Sequence, residues 1–255
     1  MIPWVQLDVA PVPDGGELRL MRRGAELSIM SGAIELMNSR LSGSEEALAT
    51  LGCGRLADRD RPKVLIGGLG MGFTLRAALA VLPRSAEAVV AELVPAVVAW
   101  GRDQMAALFA GCLDDPRVTV RESDVAELIG SAREAYDAIL LDVDNGPGGL
   151  SRPTNDDLYS TAGLAAAAAA LKPDGVLAVW SATRDSVFVQ RLRRNGYAVQ
   201  EHAVRATGGK RGARHVIWLA RRGNLPPPPA TRRRRGGLGA PAGLTPSHGA
   251  NQAKP

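Results

Sequence analysis

Two aspartates in the segment LLDVDNGPGG, Asp142 and Asp144, have the residue type and the placement expected of a reacting centre. They directly follow Tyr136 to Leu141, an apolar run that predicts a buried strand. A carboxylate at the end of such a strand is partly desolvated, which raises its pKa and suits it to take a proton from an attacking amine. We therefore predict both aspartates as catalytic. For Asp142 a structural alternative stays open, because an aspartate also stabilises a loop by bonding to its own backbone.

A glycine cluster earlier in the chain predicts a nucleoside site. Gly68, Gly70 and Gly72 lie between a buried-strand pattern and residues with helical spacing, where a strand passes into a helix N-terminus. Phe73 stands at the third glycine position of the dinucleotide pattern, whereas the spacing G-x-G-x-G is usual for S-adenosylmethionine. Glu92 ends the next apolar run, where an acid can accept both hydroxyls of a ribose. These residues predict an S-adenosyl nucleoside site, and the alternative is a structural turn in another α/β protein.

Residues that follow other predicted strands complete the candidate site. Leu93 comes directly after the ribose acid and is assigned with it to the cofactor. Asp124 is expected to accept from the adenine amine while the backbone of Val125 meets the ring, although Asp124 could instead only cap the following helix. Tyr159 and Trp180 are expected to wall the acceptor site, and core packing is an equal alternative for each. No metal is predicted.

The order of strand and helix patterns predicts the elements that position these residues. Residues 1–56 predict a small N-terminal region, a three-stranded antiparallel meander followed by a short helix capped at Ser44. Over residues 57–222 strand and helix patterns alternate, which implies a parallel sheet with ligands outside the carboxyl ends of its strands. His202 and His215 fall in the last strands, so we expect them to be structural and away from the ligand edge.

The basic charge is concentrated in residues 223–255, whose Pro, Arg and Gly content predicts a disordered tail. Arg232 to Arg235 and Lys254 account for the whole net charge of +5, so the rest of the chain is neutral. No aromatic residue accompanies these arginines, which disfavours nucleic acid as a partner beyond a weak contact by the tail. The two cysteines, Cys53 and Cys112, and the lack of a signal sequence or long apolar run predict a cytoplasmic protein without membrane contact.

In the order and spacing of its motifs the chain resembles the spermidine/spermine synthase family of polyamine aminopropyltransferases. The resemblance covers residues 17–219 and rests on VLIGGLGMGFTLRAAL, AELVPAVVAW, ESDVAEL, YDAILLDVDNGP and LYSTAGLAAAAAALKPDGVLAVWSA. It implies a small antiparallel β domain before a Rossmann-like, seven-stranded domain of the class I S-adenosylmethionine methyltransferase fold. It also implies aminopropyl transfer from decarboxylated S-adenosylmethionine to a diamine, with Glu92 on the ribose, Asp124 on the adenine and Asp142 as catalytic base.

Three segments depart from the pattern of that family. The family's glycine loop carries an aspartate that meets the donor's amine, whereas Gly70 and Met71 stand in this region. Asn145, which we assign to the acceptor, replaces the second acid of the family's D-x-x-D motif. Where the family places tyrosine, glutamine and histidine around the polyamine, this chain has SGSEEALATL. Without the loop aspartate, the backbone N–H groups of the loop suit the carboxylate of an amino-acid zwitterion.

The sequence therefore predicts an enzyme that transfers a group from an S-adenosyl sulfonium donor to a small-molecule acceptor, an amine. Because the loop aspartate is absent, methyl transfer from S-adenosylmethionine is slightly favoured. Aminopropyl transfer is the first alternative, and a protein that binds the nucleoside without catalysis and serves in oligomerisation is the second. By analogy with the family, the edge of the meander is expected to form a homodimer.

Overall fold

Two β-sheets form the framework of the chain. The computed structural model describes residues 2–13, 15–143, 146–147, 157–207 and 212–222. The first sheet is antiparallel and runs in chain order through β1 (Val5–Pro11), β2 (Glu17–Arg23), β3 (Glu26–Ser31) and β4 (Ile34–Asn38). In β2, Leu18 and Leu20 are buried and the residues between and beside them are not, because successive side chains of a strand point to opposite faces.

The second sheet has seven strands and carries the predicted ligand edge. Its five parallel strands are β5 (Lys63–Gly67), β6 (Glu87–Glu92), β7 (Val118–Glu122), β8 (Tyr136–Leu141) and β9 (Leu171–Ser181). Together with β10 (Tyr197–Arg205) and β11 (Arg214–Arg222) they lie in the order β10-β11-β9-β8-β5-β6-β7. Because β11 is antiparallel to β9, its first residues lie beside the last residues of β9.

Helices cover both faces of the second sheet, as the alternating pattern predicts. They are α1 (Gly43–Cys53), α2 (Phe73–Val81), α3 (Pro95–Arg102), α4 (Ala106–Phe109), α5 (Val125–Ser131), α6 (Thr161–Ala170) and α7 (Ser186–Arg194). Val64 and Ile66 of β5 join one buried apolar cluster, and Leu65 joins a second cluster, so the strand is buried on both faces. The predicted fold, a Rossmann-like seven-stranded α/β sheet preceded by a small antiparallel sheet, is confirmed.

The N-terminal region differs from the sequence prediction in two places. It has a fourth strand, β1, in which Val5 and Val9 are 52% and 45% exposed and only Ala10 is buried. An edge strand that buries so little shows no apolar alternation by which the sequence could reveal it. Ser44 is not the cap of α1, because the helix already begins at Gly43 and the Ser44 hydroxyl donates to the side chain of Glu45 at 2.7 Å.

Two predictions about the domain organisation of the chain remain predictions. The predicted disordered tail, residues 223–255, falls outside the described residues, and the boundary between residues 1–56 and 57–222 stays a prediction. Among the helices in the described ranges, none has the length and apolar character needed to cross a membrane. Cys53 and Cys112 are both buried, and neither forms a disulfide.

Candidate functional site

A cavity of about 240 Å³ lies at the carboxyl ends of the parallel strands. Apolar residues of the first sheet line one side of it, and the glycine loop with the ends of β6, β8 and β9 lines the other. The structure brings eight of the predicted site residues to this cavity: Gly68, Gly70, Glu92, Leu93, Asp124, Val125, Asp142 and Trp180. Residues predicted from five separate segments therefore share one site, as expected where parallel strands end at the same edge.

The glycine loop between β5 and α2 has a backbone that residues with a Cβ rarely adopt. Gly68, Gly70 and Gly72 have φ values of 89°, 50° and 77°. At Gly68 a Cβ would overlap the backbone carbonyl oxygen of Asp142, so the loop and the end of β8 are in direct contact. Gly72 is the N-cap of α2 and faces the core, where a Cβ would lie 2.7 Å from the ring of Phe109. The first two glycines thus shape the cavity, and Gly72 allows the helix to pack.

Glu92 connects the glycine loop to the turn after β6. Its Oε2 accepts the N–H of Leu69 and its Oε1 accepts the N–H of Val94, both at 2.9 Å. Burial raises the pKa of Glu92, and the hydrogen bonds from the backbone lower it. Backbone N–H groups of Gly70 and Leu93 also act on this carboxylate, which lines the cavity. The ribose contact itself stays a prediction.

Asp124 caps α5, which is the structural alternative raised from the sequence. Its Oδ1 accepts the N–H of Ala126 at 2.8 Å. Beside it, Ser123 has a buried hydroxyl oxygen that no group in the described part of the chain bonds, and Ser123 and Val125 both line the cavity. A buried polar atom without a partner is costly unless a ligand or water bonds it. This end of the cavity therefore fits a polar heterocycle, and the contact with adenine stays a prediction beside the cap.

Asp142 stands directly after β8, and its side chain is bonded to α2. Thr74, 3% exposed, donates from Oγ1 to Oδ2 of Asp142 at 2.5 Å. Burial raises the pKa of Asp142 to about 7, the negative charge of Glu45 raises it as well, and the hydrogen bond from Thr74 lowers it. A carboxyl group that titrates near neutral pH can both take and return a proton, which is the property a general base needs.

Glu45 is a functional candidate that the sequence reasoning did not single out. It lies in the first turn of α1, lines the cavity and acts electrostatically on Asp142. Burial raises the pKa of Glu45, while a hydrogen bond from Ser44 lowers it. The helix reaches the site by packing on α2 and on β8 and β9. No local motif marks such a residue, and the only signal was the Glu45-Glu46 acid pair in the segment where the related family contacts its polyamine.

Trp180 lines the cavity at the end of β9 and contacts His215 beside it. Their rings meet edge to face with centroids 4.8 Å apart. The indole Nε1 is buried and has no hydrogen-bond partner among the described residues, so it is a donor available to a ligand. The expectation that His215 lies away from the ligand edge is wrong. Because β11 is antiparallel to β9, Val216 pairs with Ser181 at the carboxyl end of β9, which places His215 at that edge.

Two of the predicted residues that the structure describes, Gly72 and Tyr159, do not line the cavity. Tyr159 is 2% exposed and packs edge to face on Phe188, with centroids 5.6 Å apart, so its ring belongs to the core on one face of the sheet. Asp144 and Asn145 lie outside the described residues, and their roles stay predictions. The described ranges contain no group of three or more His, Cys, Asp and Glu side chains that could hold a metal ion.

Comparison with known proteins places this site in a family. The family model of the spermine/spermidine synthase domain matches residues 44–193. The chain belongs to the spermine/spermidine synthase family. Polyamine aminopropyltransferases of Mycobacterium tuberculosis and Mycobacterium bovis are 31% identical to it over 158 residues, or 58% of this chain. The match covers 29% of the length of those relatives, so this chain corresponds to only part of them.

Solved structures share the fold of this family member. A spermidine synthase in complex with the transition state analogue AdoDATO aligns with a TM-score of 0.66 at 20% identity, over 86% of this chain and 72% of that one. Spermidine synthase from Thermotoga maritima aligns with a TM-score of 0.66 at 21% identity, over 86% and 73% of the two chains. At this level of identity the alignment supports the common fold.

The family assignment confirms the resemblance noted in the sequence and the prediction of an enzyme. It also corrects one inference, the choice of the transferred group. It does not support methyl transfer, which the sequence slightly favoured; it agrees better with the alternative, aminopropyl transfer. The glycine loop by itself lacks a carboxylate, since Gly70 and Met71 stand where the family has an aspartate. In the folded chain the cavity receives another carboxylate, Glu45, from α1.

Proposed function

We propose that the chain transfers an aminopropyl group from decarboxylated S-adenosylmethionine to an amine of the polyamine class. The observation that carries the proposal is the pair of carboxylates, Glu45 and Asp142, beside the glycine loop in one cavity. The decarboxylated donor and a polyamine both present ammonium groups, and a partly buried cation needs carboxylates to replace its water. Membership of the family and the names of the curated relatives support the same reaction.

In this proposal the donor nucleoside binds to the acidic residues that line the cavity. Glu92, which lines the cavity and already accepts from the N–H groups of Leu69 and Val94, accepts hydrogen bonds from the ribose hydroxyls as well. Asp124 accepts from the adenine amine through Oδ2, since Oδ1 is the atom that caps α5. The donor's cationic amine lies near Glu45, which takes the place of the absent loop aspartate. The fit is supported by the cavity, which all three acids line.

Asp142 acts as the general base for the acceptor. A polyamine nitrogen arrives as an ammonium ion and must lose a proton before its lone pair can attack carbon. The carboxyl group of Asp142, whose pKa burial raises to about 7, is matched to that proton transfer. When bound, the donor supplies a sulfonium whose sulfur leaves with the C–S electron pair. Trp180 offers an aromatic face on which an ammonium group or an alkyl chain can pack.

A comparison of donors tests this proposal. Calorimetry of decarboxylated S-adenosylmethionine, S-adenosylmethionine and methylthioadenosine is expected to show a preference for the decarboxylated donor of more than about tenfold, or 1.4 kcal/mol. Mass spectrometry of reactions with diamines is expected to detect the aminopropylated amine. A preference for S-adenosylmethionine together with a methylated product would overturn the proposal.

A matched pair of variants tests the contribution of Glu45. Glu45→Gln removes one carboxylate from the cavity and is expected to abolish the preference for the decarboxylated donor. Glu46→Gln, on the same helical turn but not among the described residues that line the cavity, is expected to keep it. Equal preference in both variants would show that Glu45 does not bind the donor's amine.

A further inference from the structure

A line of hydrogen bonds leads from the cavity to a histidine that does not line it. The Ser44 hydroxyl donates to Oε2 of Glu45 at 2.7 Å, and Nδ1 of His215 lies 2.8 Å from the same hydroxyl oxygen. Glu45 lines the cavity, Ser44 is fully buried, and His215 keeps some exposed surface. Ser44 and His215 are 171 residues apart in the chain. Only the packing of α1 against β11 brings them together.

Ser44 has a single hydroxyl hydrogen, so it can donate to only one of its two neighbours, Glu45 or His215, at a time. An ionised Glu45 can only accept, so Ser44 donates to it and the ring of His215 must donate from Nδ1. A protonated Glu45 donates to Ser44 instead, and the hydrogen of Ser44 turns to the ring. The ring first changes tautomer by exchange with solvent, taking a proton at Nε2 and giving up the one at Nδ1, so that Nδ1 can accept from Ser44. Transfer of one hydrogen at each bond leaves Glu45 ionised again and lets Nε2 release a proton. One proton thus enters at the cavity and one leaves at the ring.

The proposed reaction produces a proton that has to leave the site. The acceptor enters as R–NH₃⁺ and the donated carbon is bound to a positively charged sulfur. The nitrogen lone pair forms the new C–N bond, and sulfur takes the C–S pair to become a neutral thioether. The product is the secondary ammonium R–NH₂⁺–R′, so charge balance requires the release of one H⁺ per turnover. Methyl transfer to an amine has the same balance.

We propose that, after Asp142 has taken this proton from the acceptor and returned it to the cavity, Glu45, Ser44 and His215 form a release path that carries it from the cavity to solvent. This release path rests on the proposed function in one respect only, because it requires that a group is transferred to an amine. Asp142 and Glu46 are the charged groups that act on Glu45. Opposite His215 lie the Ser44 hydroxyl of α1, the indole of Trp180 on β9 and the paired Val204 of β10.

Two physical features support the path. Burial lowers the pKa of His215, so a proton that reaches the ring is given up readily to solvent. The first sheet lines the cavity mainly with apolar side chains such as Leu18, Ile29 and Leu36, which cannot carry a proton, and Ser31 is the hydroxyl-bearing residue of this sheet among the described lining residues.

Turnover of variants at low buffer concentration tests the path. His215→Phe and Ser44→Ala are expected to lower kcat by about tenfold or more, to leave donor binding within about twofold, and to delay proton release measured with a pH indicator in stopped flow. Imidazole in the buffer is expected to restore kcat of His215→Phe, because a small base can take over the role of the missing ring. A loss of kcat in His215→Phe that imidazole does not restore, or unchanged kcat in either variant, overturns the path.

Control variants separate proton release from support of the fold. His202→Phe changes a histidine of the adjoining strand β10 that is not in the path, and is expected to leave kcat and proton release unchanged. Ser44→Thr keeps a hydroxyl and is expected to keep most of kcat. If His202→Phe shows the same imidazole-dependent loss as His215→Phe, the effect belongs to the hairpin and the path is wrong.

A measurement without turnover separates this proposal from the proposed function. The chain has three histidines, so the ring nitrogens of His215 can be assigned by NMR through substitution. With Glu45 ionised the Nδ1–H form is expected, and Ser44→Ala is expected to remove that preference; a ring unaffected by Ser44→Ala overturns the path. If the wild type forms a methylated amine, the proposed function fails but the kinetic test of the path still applies. If it transfers neither group, both proposals fail.

Discussion

Oγ1 of Thr74 lies 2.5 Å from Oδ2 of Asp142 and joins the first turn of α2 to the end of β8. A hydroxyl donates more strongly to an ionised carboxylate than to a neutral acid, so this bond favours the charged form of Asp142. Burial and the charge of Glu45 act in the opposite direction and raise the pKa of Asp142 to about 7. These opposing effects together set the pKa of the proposed base, Asp142, near neutral pH.

Removal of the Thr74 hydroxyl is expected to shift the pH dependence of the reaction upward. In Thr74→Val the carboxylate of Asp142 loses a hydrogen bond worth about 1.5 kcal/mol, so the midpoint of kcat/KM against pH should rise by about one pH unit. Thr74→Ser keeps the hydroxyl and should keep the midpoint near its original value. A midpoint that is the same in all three proteins would mean that another group controls the profile.

Substitution of Asp142 is expected to remove turnover while donor binding persists. Asp142→Asn keeps the size of the side chain but cannot take a proton, so kcat should fall by about 100-fold or more. Calorimetry of the donor should give an affinity close to that of the wild type. Asp60→Asn, an exposed aspartate in the connection before β5, is the matched control and should retain full kcat. Equal turnover in the two variants would contradict the role of Asp142 as base.

The same variant should change how stability depends on pH. Because the folded-state pKa of Asp142 is raised to about 7, the folded chain binds more protons than the unfolded chain between about pH 4 and pH 7. This carboxyl group therefore makes the free energy of unfolding fall as pH rises through that window. Asp142→Asn should be more stable than the wild type by about 2 kcal/mol at pH 8 and should lose this advantage below about pH 4. Urea unfolding at the two pH values measures the difference.

A methyl group at Gly68 should damage the glycine loop more than one at a helical glycine. Gly68 has φ 89°, and its Cβ would overlap the backbone carbonyl of Asp142, which cannot move aside without shifting β8. Gly68→Ala should lower the free energy of unfolding by about 2 kcal/mol or more and abolish donor binding. Gly130→Ala lies in α5, where a Cβ meets nothing within 4 Å, and should raise stability by about 0.5–1 kcal/mol. Calorimetry and urea unfolding of both variants distinguish these outcomes.

Asp137 is expected to support the fold without affecting the site, since it lies at the start of β8. Burial alone would raise the pKa of Asp137, but hydrogen bonds from Lys172, the backbone N–H of Lys63 and Arg59 hold it below its usual value. Its stabilising contribution is therefore present above about pH 4 and is lost as pH falls further. Asp137→Asn should lower the free energy of unfolding by about 2 kcal/mol at pH 7, with little difference from wild type at pH 3 and unchanged donor affinity. Weaker donor binding would contradict this separation of roles.

Features that depend on neighbouring residues were predictable from the sequence. The glycine spacing at Gly68 and Gly70, the acid Glu92 after an apolar run, and Asp142 after a buried strand each follow from the local alternation of strand, turn and helix. The strand β8 also has the predicted bounds, because its apolar run is long and clearly delimited. The edge strand β1 was missed, since it buries only Ala10.

The tertiary structure alone decided which side chains act together in the cavity. The sequence predicted a nucleoside site with an acid at each of several strand ends, because those residues are local to the strands that hold them. It could not show that α1 places Glu45 near Asp142, that Thr74 bonds Asp142 across 68 residues, or that the antiparallel direction of β11 brings His215 to Ser44. These contacts depend on the packing of distant elements, and the pKa of a carboxyl group depends on the burial and charge that such packing creates.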